Sequence, residues 1–166
     1  MPPAVTHVLL TIILVDLFRD YIIKDKTIPL HFLFIGGVAG LLPDIDIPFF
    51  WFLNDILKIK TIWFHGTITH TIWVPLLLLI ASLIVYKFNR NTSILIGIIT
   101  FGLFFHIFLD FVLRGSIMPL YPLSNFTIKG FLTDLPFVHW DLGLDAVILL
   151  GWLWHEERKH RISDFI

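Results

Sequence analysis

Residues 92–113 read TSILIGIITFGLFFHIFLDFVL, an apolar run that reaches the roughly 20 residues a helix needs to cross a bilayer. The only ionisable side chains in this run are His106 and Asp110, near its carboxyl end. Because they are four residues apart, a helix places both on one face, roughly 6 Å apart at Cβ. The stretch therefore predicts a membrane helix that carries a pair of candidate metal ligands in its last turns.

The composition of the whole chain indicates an integral membrane protein. Hydrophobic residues make up 57% of the 166 residues, the mean hydropathy is +0.85, and only 15% of the residues are charged. An ordinary soluble domain has roughly 25% charged residues. The net charge of −1 gives no general attraction to nucleic acid, so no nucleic-acid partner is expected. Since the chain has no cysteine, any metal must bind through nitrogen and oxygen.

Apolar segments and breaks predict an all-α fold, a polytopic bundle of about five helices forming a single domain over residues 1–166. The helices are expected at about 4–23, 29–42, 69–88, 92–113 and 141–155. Residues 43–68 and 114–140 are expected to be loops, with Asp44 and Asp46 on one side of an extended segment. An aromatic patch at residues 49–52 suits a membrane interface.

The placement of lysine and arginine predicts the orientation. With the N-terminus outside and the C-terminus inside, the inner side holds eight basic residues and the outer side four. The inner residues are Arg19, Lys24, Lys26, Lys87, Arg90, Arg158, Lys159 and Arg161, and the outer residues are Lys58, Lys60, Arg114 and Lys129.

This topology brings the polar clusters of the chain to one membrane face, the outer one. The residue types in these clusters are the nitrogen and oxygen donors that divalent metals bind. The predicted metal ligands are His7, Asp44, Asp46, His65, His70, His106 and Asp110. Asp44, Asp46, His70 and Asp110 are the predicted catalytic residues.

Seven donors exceed the three or four that one zinc ion takes, so a two-ion site is expected. Zinc suits a histidine-rich site, although manganese or iron fits mixed histidine and aspartate donors as well. Such a site would activate a water molecule for hydrolysis without a serine or cysteine nucleophile. Thr69 could orient an imidazole, His139, Asp141 and Asp145 could support or extend the ligand set, and Arg114 could contact an anionic substrate.

Two other classes of protein remain open. A metal-ion transporter would carry ionisable residues along a path through the membrane midplane, whereas the predicted helix centres are nearly uncharged. A non-catalytic membrane protein could use the metal only to tie helices together, which requires a coordinatively closed site.

The order and spacing of these residues resemble the YdjM-like family of membrane-bound, metal-dependent hydrolases. The matching stretches are residues 6–10, 41–48, 64–71, 106–110 and 119–122. Two positions depart from the family pattern: Gly66 stands where an arginine is frequent, and Leu113 where a threonine is found. The resemblance implies a multi-pass protein of a prokaryotic inner membrane that uses the seven donors named above.

The pattern is also remotely similar to zinc-dependent phospholipase C and the related single-strand nucleases. That similarity implies a phosphoester substrate. An active site at the surface of a lipid bilayer would suit a lipid or a lipid-linked small molecule.

Overall fold

The helices of the chain are interrupted where polar residues cluster. The computed structural model describes residues 4–24, 27–59, 65–113, 116–130 and 144–159. Its α-helices are α1 (Ala4–Leu17), α2 (His31–Ala39), α3 (Asp46–Trp51), α4 (Trp73–Val85), α5 (Arg90–Val112) and α6 (Leu144–Arg158). Helix α1 continues as a π-helix over Phe18–Ile23, and α3 as another over Phe52–Ile56, while a 3-10 turn covers Leu42–Ile45. Two short strands, β1 (Ser116–Ile117) and β2 (Ile128–Lys129), pair antiparallel.

The mostly helical architecture confirms the predicted all-α class, with six α-helices among the described residues where about five were expected. The additional helix is α3, and it corrects the prediction of an extended loop after residue 42. Pro43 lies in the first turn of the 3-10 segment, where its missing N–H costs nothing. Asp46 begins α3, where a carboxylate is favourable beside the helix N-terminus.

Helix α4 is shorter than the predicted segment 69–88. It has 13 residues, because residues 69–72 form turns before it and residues 86–88 form a turn after it. The backbone N–H of Ile72 donates to the Pro119 carbonyl, and the indole Nε1–H of Trp73 donates to the Tyr121 carbonyl. The 116–130 segment therefore holds the start of α4 in place.

Helix α5 is the centre of the fold, with α1 and α2 packed against one part of it and α4 against another. On the α2 side the backbones approach so closely that a Cβ added to Gly102 would overlap the Gly36 carbonyl oxygen. On the α4 side Ser82 and Ser93 each donate a hydroxyl proton to the other's carbonyl, at 2.8 Å. Small residues at such interfaces are typical of helices that pack inside a membrane.

One described helix, α5, is long and apolar enough to cross a bilayer, with a mean hydropathy of 2.2. The segments His31–Ala39 and Leu42–Ile56 pass the same criterion only together, and the 49° bend between them fits either a broken span or a re-entrant loop. The multi-pass topology with N-terminus outside and C-terminus inside stays a prediction.

Basic residues gather at the amino end of α5, far from His106. There Arg90 donates to Thr27, the Arg19 Nε–H donates to the Ile28 carbonyl, and Lys159 pairs with Asp20 at 2.8 Å. Arg90 and His106 are 16 positions apart on one helix, which is roughly 24 Å. The basic cluster and the predicted metal ligands thus lie at opposite ends of α5.

Candidate metal centre

Seven side chains predicted from the sequence as metal ligands lie together at the carboxyl end of α5. They come from α1, from the 3-10 turn, from the start of α3, from the turns that precede α4, and from α5. Each side chain has a nitrogen or oxygen atom within 4 Å of an oppositely charged type of group in the same cluster. The residues of the cluster are His7, Asp44, Asp46, His65, His70, His106 and Asp110. Their assignment as metal ligands stays a prediction.

Four of these side chains meet at the centre of the cluster. The Nε2 atoms of His70 and His106 are 3.2 Å apart. Asp44 Oδ1 lies 3.5 Å from the first nitrogen and 3.4 Å from the second. Asp110 Oδ2 lies 3.3 Å from the His70 nitrogen and 3.5 Å from the His106 nitrogen.

These separations suit a divalent ion better than direct hydrogen bonds. Zinc–nitrogen and zinc–oxygen bonds of about 2.0–2.1 Å in a tetrahedron place neighbouring donor atoms roughly 3.3 Å apart. Among the described residues, Asp44 Oδ1, both oxygens of Asp110 and both ring nitrogens of His7 are buried and find no hydrogen-bond partner. Because buried charge is costly unless it is compensated, these donor atoms fit a bound cation.

The tautomer of His106 is fixed by the backbone. Its Nδ1 lies 2.6 Å from the Gly40 carbonyl oxygen. Since a carbonyl can only accept, Nδ1 carries the proton, and Nε2 presents a lone pair to the centre when the ring is neutral. Sequence reasoning missed Gly40, although its spacing from Gly36 is a small-residue packing motif that could have indicated a close backbone approach.

Asp110 connects this centre with His7. Its second oxygen, Oδ1, lies 3.8 Å from His7 Nε2, and the His7 ring stacks on the His106 ring with centroids 4.0 Å apart. The two oxygens of Asp110 thus face different histidines, an arrangement that allows one carboxylate to bridge two ions.

Asp46, His65 and Thr69 lie beside the centre. His65 Nδ1 is 2.8 Å from Asp46 Oδ1, and the Thr69 hydroxyl is 2.8 Å from Asp46 Oδ2. The opposite edge of the His65 ring points at Asp44, with 3.9 Å between Nε2 and Oδ1.

The charge on His70 depends on its acidic neighbours. Burial lowers the pKa of this imidazole, but the nearby Asp110 and Asp44 carboxylates outweigh burial and raise the pKa above its ordinary value of 6.5. Without a bound ion, His70 therefore tends to keep a proton that ligation would displace.

The cluster opens to its surroundings at Asp44. The side chains of His7, His70, His106 and Asp110 are completely buried, whereas Asp44 keeps 17% of its side-chain surface. Leu42, Ile45 and Phe49, on the same short helical segments, expose large apolar side chains. An approaching molecule therefore meets one carboxylate with apolar surface nearby.

The structure gives a physical reason for Gly66, one of the departures from the family pattern. Gly66 has a φ of +80°, and a Cβ at this position would overlap the Ser116 carbonyl oxygen. Its own carbonyl accepts from the Met118 N–H at 2.7 Å, which ties β1 to the histidine turn. A side chain such as arginine does not fit this backbone.

The remaining predicted site residues do not enter the described cluster. Arg114, His139 and Asp141 lie outside the described residues, and Asp145 belongs to α6 without a described side chain. The predicted contributions of these four residues stay predictions.

The comparisons with known proteins identify the family. No curated protein and no solved structure matches the chain. A family model described as YdjM inner membrane protein matches residues 1–164, which accords with a membrane location. The chain belongs to the YdjM inner membrane protein family.

Proposed function

We propose that the protein is a membrane-embedded, metal-dependent hydrolase that cleaves a phosphoester of a lipid or lipid-linked substrate. The observation that carries this proposal is the buried triangle of Asp44 Oδ1, His70 Nε2 and His106 Nε2, whose edges of 3.2–3.5 Å match the spacing of donors around one ion. Asp110 Oδ2 lies within 3.5 Å of both nitrogens and would be a further donor.

His7 and Asp110, whose Nε2 and Oδ1 atoms lie 3.8 Å apart, would hold a second ion. Zinc suits the histidine-rich first set, and manganese or iron would also be accepted by mixed nitrogen and oxygen donors. A divalent ion bound here would lower the pKa of a water molecule and polarise a phosphoryl oxygen.

The residues at the open side have separate tasks in this proposal. Asp44 faces the opening and can accept a proton from the attacking water. His65 lies across from Asp44. When His65 carries a proton on Nε2, it can give this Nε2 proton to the leaving oxygen of the substrate. The Asp46 carboxylate, 2.8 Å from His65 Nδ1, would hold the ring in this orientation.

A lipid substrate is favoured by the surroundings of the opening. Leu42, Ile45 and Phe49 give a substrate's acyl portion apolar contacts close to Asp44. The family is one of inner membrane proteins, so lipid is the abundant phosphoester-containing material at this location. The bilayer itself is then the principal partner.

Metal analysis of purified protein tests the proposal. Wild-type protein should contain about one to two equivalents of a divalent metal, since the donors form one larger set and one smaller set. His70→Ala and Asp110→Ala should remove both the metal and the hydrolysis of phosphomonoester, phosphodiester or lipid-headgroup substrates. His31→Ala is the matched control, because the His31 ring lies against Phe32 away from the site. Full hydrolysis by metal-free wild-type protein would refute the proposal.

A non-catalytic metal site that ties α1, α5 and the histidine turn together is a second candidate. It is favoured by the complete burial of His7, His70, His106 and Asp110. Metal-loaded protein that retains its ion, loses stability without it, and hydrolyses none of these substrates would support this candidate instead.

A further inference from the structure

The hydroxyl of Thr69 lies between a carboxylate and an imidazole. Its Oγ1 is 2.8 Å from Asp46 Oδ2 and 2.9 Å from His70 Nδ1. A hydroxyl has one proton to donate, and an ionised carboxylate can only accept. Thr69 therefore donates to Asp46 and accepts from His70 Nδ1–H. This leaves the Nε2 of a neutral His70 ring with its lone pair directed at Asp44 and Asp110.

The other oxygen of Asp46 fixes the tautomer of His65 in the same way. Oδ1 accepts from the Nδ1–H of His65 at 2.8 Å, so both oxygens of this carboxylate are engaged in hydrogen bonds. Asp46 is 3% exposed, so little water competes for these bonds. Asp44, in contrast, has a buried Oδ1 without a hydrogen-bond partner.

The 2.8 Å between Asp46 and His65 is the length of a hydrogen bond. Two ligands of one zinc ion would lie roughly 3.3 Å apart, as the atoms around Asp44 do. The two aspartates of the Asp-Ile-Asp sequence therefore differ in their surroundings, although both are close to histidines.

We propose that Asp46 is a positioning residue and not a metal ligand. It holds the Nδ1–H tautomer of His65 directly and that of His70 through the Thr69 hydroxyl. Carboxylates behind metal-binding histidines act in this way: they fix the ring orientation and raise the basicity of the ligating nitrogen. The role deepens the proposed metal-dependent function and rests on it.

Two variants of Thr69 test the linkage. Thr69→Val keeps the shape of the side chain and removes the hydroxyl, whereas Thr69→Ser keeps the hydroxyl. We expect zinc affinity, measured by competition with a chelator, to fall roughly 10–100-fold in Thr69→Val and to stay near wild type in Thr69→Ser. Equal affinities for the two variants would overturn the proposal.

The Asp46→Asn variant tests whether Asp46 positions the histidines or binds the ion itself. A positioning residue predicts lower affinity but an unchanged number of ions at saturating zinc, whereas Asp44→Asn should lower that number. Loss of an ion from Asp46→Asn at saturation would assign Asp46 as a ligand and overturn the proposal.

Histidine ¹⁵N spectra of the metal-free protein give a readout that does not depend on metal binding. Protonated Nδ1 on neutral His65 and His70 is expected in wild type, with a mixture of tautomers for His70 in Thr69→Val. Protonated Nε2 on neutral wild-type His70 would overturn the positioning role. A wild type that binds no zinc but shows the expected tautomers would instead refute the proposed function alone.

Discussion

In the proposed metal-dependent function, His70 would set the pH range in which the site takes up an ion. Burial lowers its pKa, but the nearby Asp110 and Asp44 carboxylates outweigh burial and raise the pKa above 6.5. A proton on Nε2 occupies the position that a metal requires. We therefore expect metal affinity to fall as the pH falls, and metal uptake near neutral pH to release protons. Chelator competition at about pH 6 and about pH 8 tests this, and equal affinities at both would contradict it.

The backbone at position 66 requires glycine. A side chain here must adopt a left-handed conformation, which costs roughly 1–2 kcal/mol, and its Cβ would overlap the Ser116 carbonyl oxygen. Gly66→Arg should lower the melting temperature and weaken metal binding. Gly151→Ala is the control, because a Cβ there meets nothing within 4 Å. A Gly66→Arg protein as stable as wild type would show that the turn can rearrange.

Residue types and the predicted topology together were enough to predict the seven side chains that gather at the site, because histidine and aspartate are rare in apolar segments. They could not predict what each one does. Asp44 and Asp46 are two positions apart, and their difference depends on Thr69, which follows Asp46 by 23 positions in the chain. Hydrogen bonds of this kind depend on tertiary packing and leave no local pattern.

The contact between α2 and α5 links helix packing to the metal centre. Gly102 allows the α2 backbone to approach, and the same approach brings the Gly40 carbonyl to His106. Gly102→Ala should separate the helices, with a cost of about 1–3 kcal/mol typical of overpacking, and should weaken metal binding through His106. Thermal unfolding and chelator competition measure the two effects.

Gly97→Ala is the matched control on the same helix. A Cβ at Gly97 makes only an ordinary 3.5 Å contact with Ser82 Oγ. Alanine in a helix interior is more favourable than glycine by roughly 0.5–1 kcal/mol, so this variant should be as stable as wild type or more so. Equal losses in the two variants would indicate that α5 simply rejects substitution.

Continuous apolar runs predicted α5 to within two residues at each end, because nothing polar competes with the helix there. The predicted helix bounds were wrong where polar side chains form tertiary contacts. Residues 69–72 form turns, since Thr69 and His70 bond within the site and Ile72 bonds to Pro119. The 3-10 turn and α3 were missed because a proline–aspartate pair is also typical of loops.

At the scale of the whole molecule, charge is distributed unevenly between the two ends of α5. The carboxyl end holds the acidic, histidine-rich cluster. The amino end holds Arg19, Arg90 and Lys159, tied together by contacts to Ile28, Thr27 and Asp20. Basic residues favour the cytoplasmic side of an inner membrane, so this polarity predicts that the metal centre lies at the outer face.

Thiol labelling can test this orientation without background, since the chain has no cysteine. Leu123 and Phe88 are suitable positions, with exposures of 79% and 84%. Leu123 follows Tyr121, which contacts Trp73 at the start of α4, and Phe88 lies beyond the other end of that helix. The two positions are matched in size and accessibility but belong to opposite ends of the fold.

With the metal centre outside, an impermeant maleimide should label Leu123→Cys in intact cells and Phe88→Cys only after the membrane is permeabilised. The reverse pattern would invert the orientation and place substrate binding at the cytoplasmic face. Labelling of both positions in intact cells would show that α4 does not separate two compartments. Because neither position touches a metal donor, metal content should remain at the wild-type level in both variants, so a change in labelling reports topology and not loss of the folded site.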